Sequence, residues 1–537
     1  MSTLQASPLA SELPSASKRP WRRLLVLFLL LLLSIVLYGV LIRVAPQSDA
    51  EIPSFVWVWM ICFLPYFAAC AFVLATRPAG GRWRWIELAI ILAGAFLFRV
   101  MLLPLPPGLS HDAWRYLWDA RVTLHGYSPY VYTPEDKAFS SLHDFLYDNS
   151  RFRNVPTIYP PGAQAIYLLS YLLAPSNLFF LKGIFAAFDM LTCGVLALFL
   201  ARRGLDPRRV VIYAWCPLPV VEFAIEGHVD VVTLTFAVLA VLFAGSNRRG
   251  SRALTGFFIG MATLTKIYPI LLLAAVIRRR DWALLASCFA TIVLGYIPYF
   301  ILGHGQVLGY LSGYSSEQGG NAGVVQLLIY SFGSAHGYKL AAIIVQQHVV
   351  DVIVLSGMSL VVLVLRLLKD MRIEAAVIML IGSVLAISSH VFPWYTTVLL
   401  PWIALLIGPL RTNVREVTPE AGDHKGPPIR TNLSEAAPAG DHKGPPVHPS
   451  AALAPTRAGV HMRWGLSSPW PGLAVGAAWY FTCVSLTGYF FNNTQDWHIY
   501  YEFVYGVVMA GLSIACALGF WGQLKQWHRW TLEGKPK

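Results

Sequence analysis

The segment SHDAWRYLWDARVTLHGYSPYVYTPED, Ser110 to Asp136, gathers carboxylates (Asp112, Asp119), arginines (Arg115, Arg121), His111 and aromatics (Trp114, Tyr116, Trp118, Tyr127, Tyr130, Tyr132) in one stretch. On a helix, Asp112, Arg115, Tyr116 and Asp119 share a face through i, i+3, i+4 and i+7 spacing. Two readings follow. One is an interfacial helix laced by an Asp112 to Arg115 ion pair. The other makes Asp112 a general base that takes a proton from an acceptor hydroxyl while a sugar leaves a phosphate. A second, acid-acting carboxylate is not required there, because phosphate departs unprotonated when cations stabilise it. Arg115, Arg121, Tyr116 and Asp119 are then phosphate and sugar contacts, and His111 could pair with phosphate or orient Asp112.

Five further candidates lie downstream. Lys266, in LTKIYP, sits within an apolar stretch and needs a phosphate, a carboxylate or carbonyls as partner unless it snorkels to an interface; the preferred role is to hold the leaving phosphate, with Arg115 or Arg121 assisting. Glu226, His228 and Asp230 form an E-G-H-V-D turn that could contact substrate or cap the next helix. His390, in SSHVFPWY, is a candidate sugar or phosphate partner, whereas Trp394 and Tyr395 beside it are expected as membrane-interface anchors. Tyr159 belongs to the TIYPPG that ends the loop and completes the substrate-binding set. The Gly-rich SGYSSEQGGNAG, Ser312 to Gly323, could be a mobile lid or a flexible connection, and it matches no nucleotide-phosphate fingerprint.

The elements that position these residues are membrane helices. Of 537 residues, 56% are hydrophobic and 13% charged, with mean hydropathy +0.56, which excludes a soluble globule. The formal net charge of +13 comes from short clusters beside apolar spans, so it signals topology and not nucleic-acid binding. Seven cysteines without paired spacing indicate neither disulfides nor zinc. Apolar runs begin near Leu24, Phe55, Ile86, Leu178, Val210, Val229, Trp282, Val349, Ala375, Trp394, Pro471 and Glu502, which predicts about 12 crossings.

Arginine clusters at Arg77 to Arg84, Arg202 to Arg209, Arg248 to Arg252 and Arg278 to Arg280, with Lys369, Arg372, Lys525 and Arg529, fall on one side only under two conditions. Ala163 to Leu173 must be an interfacial or re-entrant helix, and Ala253 to Ile277 a hairpin of half-helices broken around Thr265 to Pro269. The predicted fold is therefore an all-α polytopic bundle of about 12 transmembrane helices plus a short helical hairpin, with a large outer loop (108–161) after the third helix. Residues 1–23 and 523–537 are expected to be cytoplasmic tails, 24–410 the catalytic membrane domain and 469–522 the C-terminal transmembrane helices. The Pro/Gly-rich stretch 411–468, in which AGDHKGPP (Ala421 to Pro428) recurs at Ala439 to Pro446, is expected to be a disordered cytoplasmic insertion.

HDAWRYLWDARVTLHGYSPYVY followed by TIYPPGAQ resembles the first outer loop of GT-C-type integral membrane glycosyltransferases, particularly bacterial polyprenyl-phosphate-mannose-dependent mannosyltransferase-like proteins. GHVDVVTL, LTKIYPILLL and SSHVFPWYTTVLLPW resemble other segments of that group, so the likeness runs from about Ser110 to Trp402. It implies a GT-C fold, a polyprenyl-phosphate sugar donor, a glycan or lipid acceptor of the cell envelope, and an essential loop carboxylate at the position of Asp112. Where many members carry adjacent acidic residues this chain has His111, which weakens a divalent-metal site; no metal or other cofactor is expected. The expected activity is inverting transfer of a hexose, mannose by resemblance, on the outer face of a bacterial plasma membrane with both termini cytoplasmic. A lipid-linked sugar transporter or flippase is the rival reading, although no second broken helix matches the Lys266 hairpin.

Overall fold

A computed structural model describes residues 20–78, 81–317, 322–369, 371–407, 469–486 and 489, and among them every regular element is helical. Among the described residues six helices are long and apolar enough to cross a membrane: Trp21–Arg43, Asp49–Ala75, Trp83–Leu102, Leu178–Arg202, Trp282–Leu302 and Leu340–Leu368. Shorter apolar helices occupy Asp230–Ala244, Val324–Ala335, Ile373–Ile387 and Pro393–Leu406. The expected 411–468 insertion, the crossing from Glu502 and the C-terminal tail lie outside the described residues.

Two of the expected crossings, from Val210 and Trp394, are segmented near prolines, while those from Val229 and Ala375 are unbroken helices of 15 residues. The run from Val210 is divided into Pro207–Val210, Val211–Ala214 and Pro217–Ala224. The run from Trp394 is divided into Pro393–Thr396, Thr397–Leu399 and Leu400–Leu406. Pro217 lacks the N–H that would continue the helix before it, and Pro401 sits where the 3-10 turn Thr397–Leu399 returns to α-helix within the continuous Pro393–Leu406. The span expected from Val349 instead begins at Leu340. Its polar Asp351 is satisfied by Gln326 Nε2 at 2.7 Å, from the Val324–Ala335 helix.

The arginine clusters close one end of the bundle. Glu87, fully buried, receives Arg23 Nε and Arg208 Nη1, both at 2.8 Å. Glu374 receives Arg203 at 2.8 Å, and Arg209 reaches the Ile407 carbonyl at 2.7 Å. These residues, read from sequence as flanking topology signals, also tie helix ends together. Arg252 donates to the Val276 carbonyl at 2.9 Å and Arg278 to the Ala244 carbonyl at 2.8 Å, so both ends of the 253–277 segment meet at this arginine end. The segment runs up as Ser251–Thr263, breaks at Leu264 to Ile267 and returns through Tyr268–Leu271 and Leu272–Val276. Lys266 is at the tip.

The opposite end carries the large loop, which folds as a helical layer with its own core. Helix Asp112–Leu124 packs on Pro161–Leu173, and Leu117, Trp118, Phe139 and Leu146 are fully buried between them and the intervening short helices. Each such side chain stabilises the layer by roughly 1.5–3 kcal/mol. Gly162 fixes the contact with the hairpin: its N–H donates to the Leu264 carbonyl at 2.7 Å, and a Cβ there would lie 2.8 Å from that oxygen. Gly162→Ala is expected to push the hairpin tip away and cost about 1–3 kcal/mol, read as a lower thermal midpoint of the detergent-purified protein. The six described cysteines are all buried and free, as small hydrophobes are.

Candidate active site

The start of helix Asp112–Leu124 is set from below by Glu226. Its carboxylate accepts the backbone N–H groups of Gly108 (3.3 Å), Leu109 (3.0 Å) and Ser110 (2.9 Å). Burial pushes the Glu226 carboxyl up to about 7 despite those three donors. Gly227, at φ 72°, makes the turn possible, since a side chain there would meet Lys182 Cγ at 3.0 Å. Ser110 Oγ then accepts the Asp112 N–H at 3.2 Å. Asp112 thus stands in the first turn, where the helix dipole favours a carboxylate.

Asp112 faces a cavity of about 300 Å³. Tyr159 Oη donates to its Oδ2 at 3.2 Å, and Tyr116 Oη donates to Tyr159 Oη at 3.1 Å. Burial raises the Asp112 pKa above the ordinary aspartate value, while Lys266 and the Tyr159 hydrogen bond oppose the rise. Lys266 Nζ lies 3.5 Å from Asp230 Oδ1 and over the rings of Tyr159 and Tyr395, at 5.0 and 4.9 Å. The lysine therefore sits behind the tyrosine wall, within the electrostatic reach of both aspartates. Asp230 Oδ2 is buried with no hydrogen-bond partner among the described residues.

The other arginines of the loop are already engaged. Arg115 pairs with Asp119 at 2.7 Å, and its remaining nitrogens hold the carbonyls of Phe152 (2.6 Å) and Val155 (3.0 Å). The ion pair on this helix face is thus Arg115 to Asp119, not Asp112 to Arg115. Asp119 also accepts from Gln164 at 3.2 Å. Arg121 binds Tyr171, the Leu142 carbonyl, Asp144 and Ser176, away from the cavity wall. Arg151, which sequence reading passed over within a polar stretch, lines the cavity and makes no hydrogen bond or ion pair with the described residues.

A ladder of parallel rings forms another wall. His390 stacks on Phe392 (5.6 Å between centroids), Phe392 on Trp394 (4.5 Å) and Trp394 on His228 (3.8 Å). A carboxylate lies at each end: Glu317 Oε2 is hydrogen-bonded to His390 Nε2 at 3.1 Å, and Glu222 Oε2 is 3.0 Å from His228 Nδ1 but outside hydrogen-bond geometry. Tyr489 Oη donates to Glu222 at 3.1 Å. Trp394, expected as an interface anchor, is instead 7% exposed, and both its faces are covered by other rings.

Of the residues singled out from sequence, His111, Asp112, Arg115, Tyr116, Tyr159 and His390 line one cavity. Lys266 and Asp230 stand directly behind it, His228 is at the base of the ladder, and Asp119 and Arg121 serve the loop's own framework. His111 Nδ1 lies 3.0 Å from the Asn149 carbonyl, which orients its ring at the helix start. Sequence reading missed Arg151 and Glu317; the second lay in the Gly-rich stretch, of which residues 318–321 are outside the described residues. No three of the described His, Cys, Asp and Glu residues come together as a metal site.

A family model described as glycosyltransferase family 87 matches residues 157–393. The match supports a membrane glycosyltransferase. No curated protein and no solved structure matches the chain. The matched segment contains Tyr159, His228, Asp230, Lys266, Glu317 and His390. Helix Asp112–Leu124 and Arg151 precede it, so their part in the site rests on the geometry alone. A glycosyltransferase implies a sugar donor, an acceptor and, with these helices, a lipid setting.

Proposed function

We propose that the protein is an inverting GT-C-type hexosyltransferase that moves a hexose, mannose by resemblance, from a polyprenyl-phosphate donor to a glycan or lipid acceptor at the outer face of a bacterial plasma membrane. The observation that carries this reading is the Asp112 carboxylate on a cavity wall, held by Tyr159 and backed by the Lys266 ammonium. Asp112 takes the acceptor hydroxyl proton as that oxygen attacks the anomeric carbon, and the bond from that carbon to the phosphate oxygen breaks. The polyprenyl phosphate leaves as an anion toward the cationic side of the site, so no acid is needed. The Glu317 carboxylate against His390 favours sugar hydroxyls over phosphate as that pair's ligand.

Incubation of membranes containing the protein with a polyprenyl-phosphate hexose, followed by mass analysis, tests the reading. Gain of one hexose by the acceptor supports it; movement of labelled donor lipid across the membrane without transfer overturns it.

The base must be ionised to work, and its pKa is raised by burial and held down by Lys266. The acid limb of kcat/KM is accordingly expected above the ordinary aspartate range near 3.8. Removing the ammonium with Lys266→Met should move that limb to higher pH. A pH profile of kcat/KM for both proteins reads the shift, and an unmoved or lowered limb contradicts the role given to Lys266.

A further inference from the structure

The guanidinium of Arg151 stands apart from its neighbours on the loop. Arg115 and Arg121 are saturated by carboxylate and carbonyl partners, and Arg153 lies over the Tyr147 ring at 4.8 Å. Arg151 is exposed on the cavity wall, with no hydrogen bond or ion pair to the described residues. Arginine presents a planar fork of donors suited to phosphate oxygens.

Its placement is enforced. The next residue, Phe152, has φ 54°, a left-handed backbone that a bulky aromatic adopts only under constraint. The constraint is visible: Arg115 Nη1 holds the Phe152 carbonyl at 2.6 Å while Asp119 holds Arg115. The same turn leaves the Phe152 ring 63% exposed, and Phe152 also lines the cavity. A free cation and an exposed ring on adjacent residues match an amphiphile with a phosphate head and an apolar chain. Elsewhere on the wall Glu317 presents an anion that disfavours phosphate.

We propose that the Arg151–Phe152 edge is the subsite for the phosphate of a lipid-linked donor, with Arg151 contacting the phosphate, Phe152 lying against the first apolar units of the lipid chain, and Arg115 acting as the positioning residue that holds both. The inference rests on the polyprenyl-phosphate reading above and assigns it a cation other than the one sequence reading preferred, which was Lys266 assisted by Arg115 or Arg121. Lys266 acts through its field on Asp112; Arg151 supplies the direct contact.

The test measures binding of a long-chain polyprenyl monophosphate and of the matching uncharged polyprenol to the purified full chain in detergent. The wild type should prefer the monophosphate. Arg151→Gln should weaken monophosphate binding about tenfold, the scale of one charged hydrogen bond, and leave polyprenol binding unchanged, which also reports an intact fold. Arg151→Lys should recover part of the loss, and Phe152→Ala should weaken both ligands alike. With a sugar-loaded donor, Arg151→Gln should lower kcat/KM by at least about tenfold, because the guanidinium holds the phosphate in the bound donor and more strongly as it leaves. Full phosphate preference in Arg151→Gln overturns this inference and leaves the donor reading standing; a wild type without phosphate preference overturns both.

Discussion

Asp112→Asn is expected to lower kcat by about 10²–10⁴-fold, the range a general base supplies, with the thermal midpoint and detergent elution of the protein preserved. The amide keeps the shape and can still meet Tyr159 Oη, so the Tyr116–Tyr159 chain and the Ser110 contact at the helix start have no reason to rearrange. What is lost is the proton acceptor alone. Asp119→Asn provides the contrast, because Asp119 holds Arg115 and Gln164 and reaches no cavity surface. Its damage should appear first in stability and in donor KM through the Arg151–Phe152 turn. Steady-state kinetics of the two variants separates the roles, and an active Asp112→Asn enzyme removes Asp112 as base.

The largest stability effect is expected far from the cavity. Arg99 and Asp189 form a fully buried pair at 2.7 Å, linking helices Trp83–Leu102 and Leu178–Arg202. Tyr213 Oη donates to the other Asp189 oxygen at 2.5 Å, and Arg99 Nη1 also reaches the Ala95 and Ala214 carbonyls, both at 2.9 Å. Asp189→Ala strands a guanidinium in the bundle interior. Breaking one partner of such a pair costs about 3–5 kcal/mol. The expected result is a strongly lowered thermal midpoint and poor recovery from membranes. The double variant Arg99→Met with Asp189→Leu should recover much of the loss, because it leaves no buried charge unpaired. Equal damage from single and double variants would show that volume, and not charge, matters there.

The sequence made the site's cast partly legible. Asp112, Tyr116 and Tyr159 could be picked because carboxylates and aromatics are dense in a loop too long for a plain connection. Lys266 could be picked because an ammonium in an apolar segment demands a partner, and it meets Asp230. The hairpin itself was legible, since arginines at both ends of 253–277 required an even number of passes and Pro269 offered the break. Pairings between distant residues were not legible. Arg115 has two carboxylates at helical spacing, and only the fold shows that it chooses Asp119 and the Phe152 carbonyl, which leaves Asp112 to the cavity. Arg151 looked like any polar loop residue because its importance lies in what it does not touch. Arg99 and Asp189 are lone charges in apolar runs, and 90 residues of sequence separate these two groups, which only the fold brings into contact. Hydropathy alone reads the run from Val210 as continuous, whereas Pro217 starts a new helix there, and the runs from Val229 and Ala375 form unbroken helices of 15 residues.

A single displacement with Asp112 as the only base at the reacting centre makes a stereochemical commitment. The decisive measurement is the anomeric configuration of the product formed from a polyprenyl-phosphate hexose of known anomer, read by nuclear magnetic resonance. The account predicts inversion. A product that retains the donor's configuration would require a covalent glycosyl intermediate or a second displacement, and would contradict it.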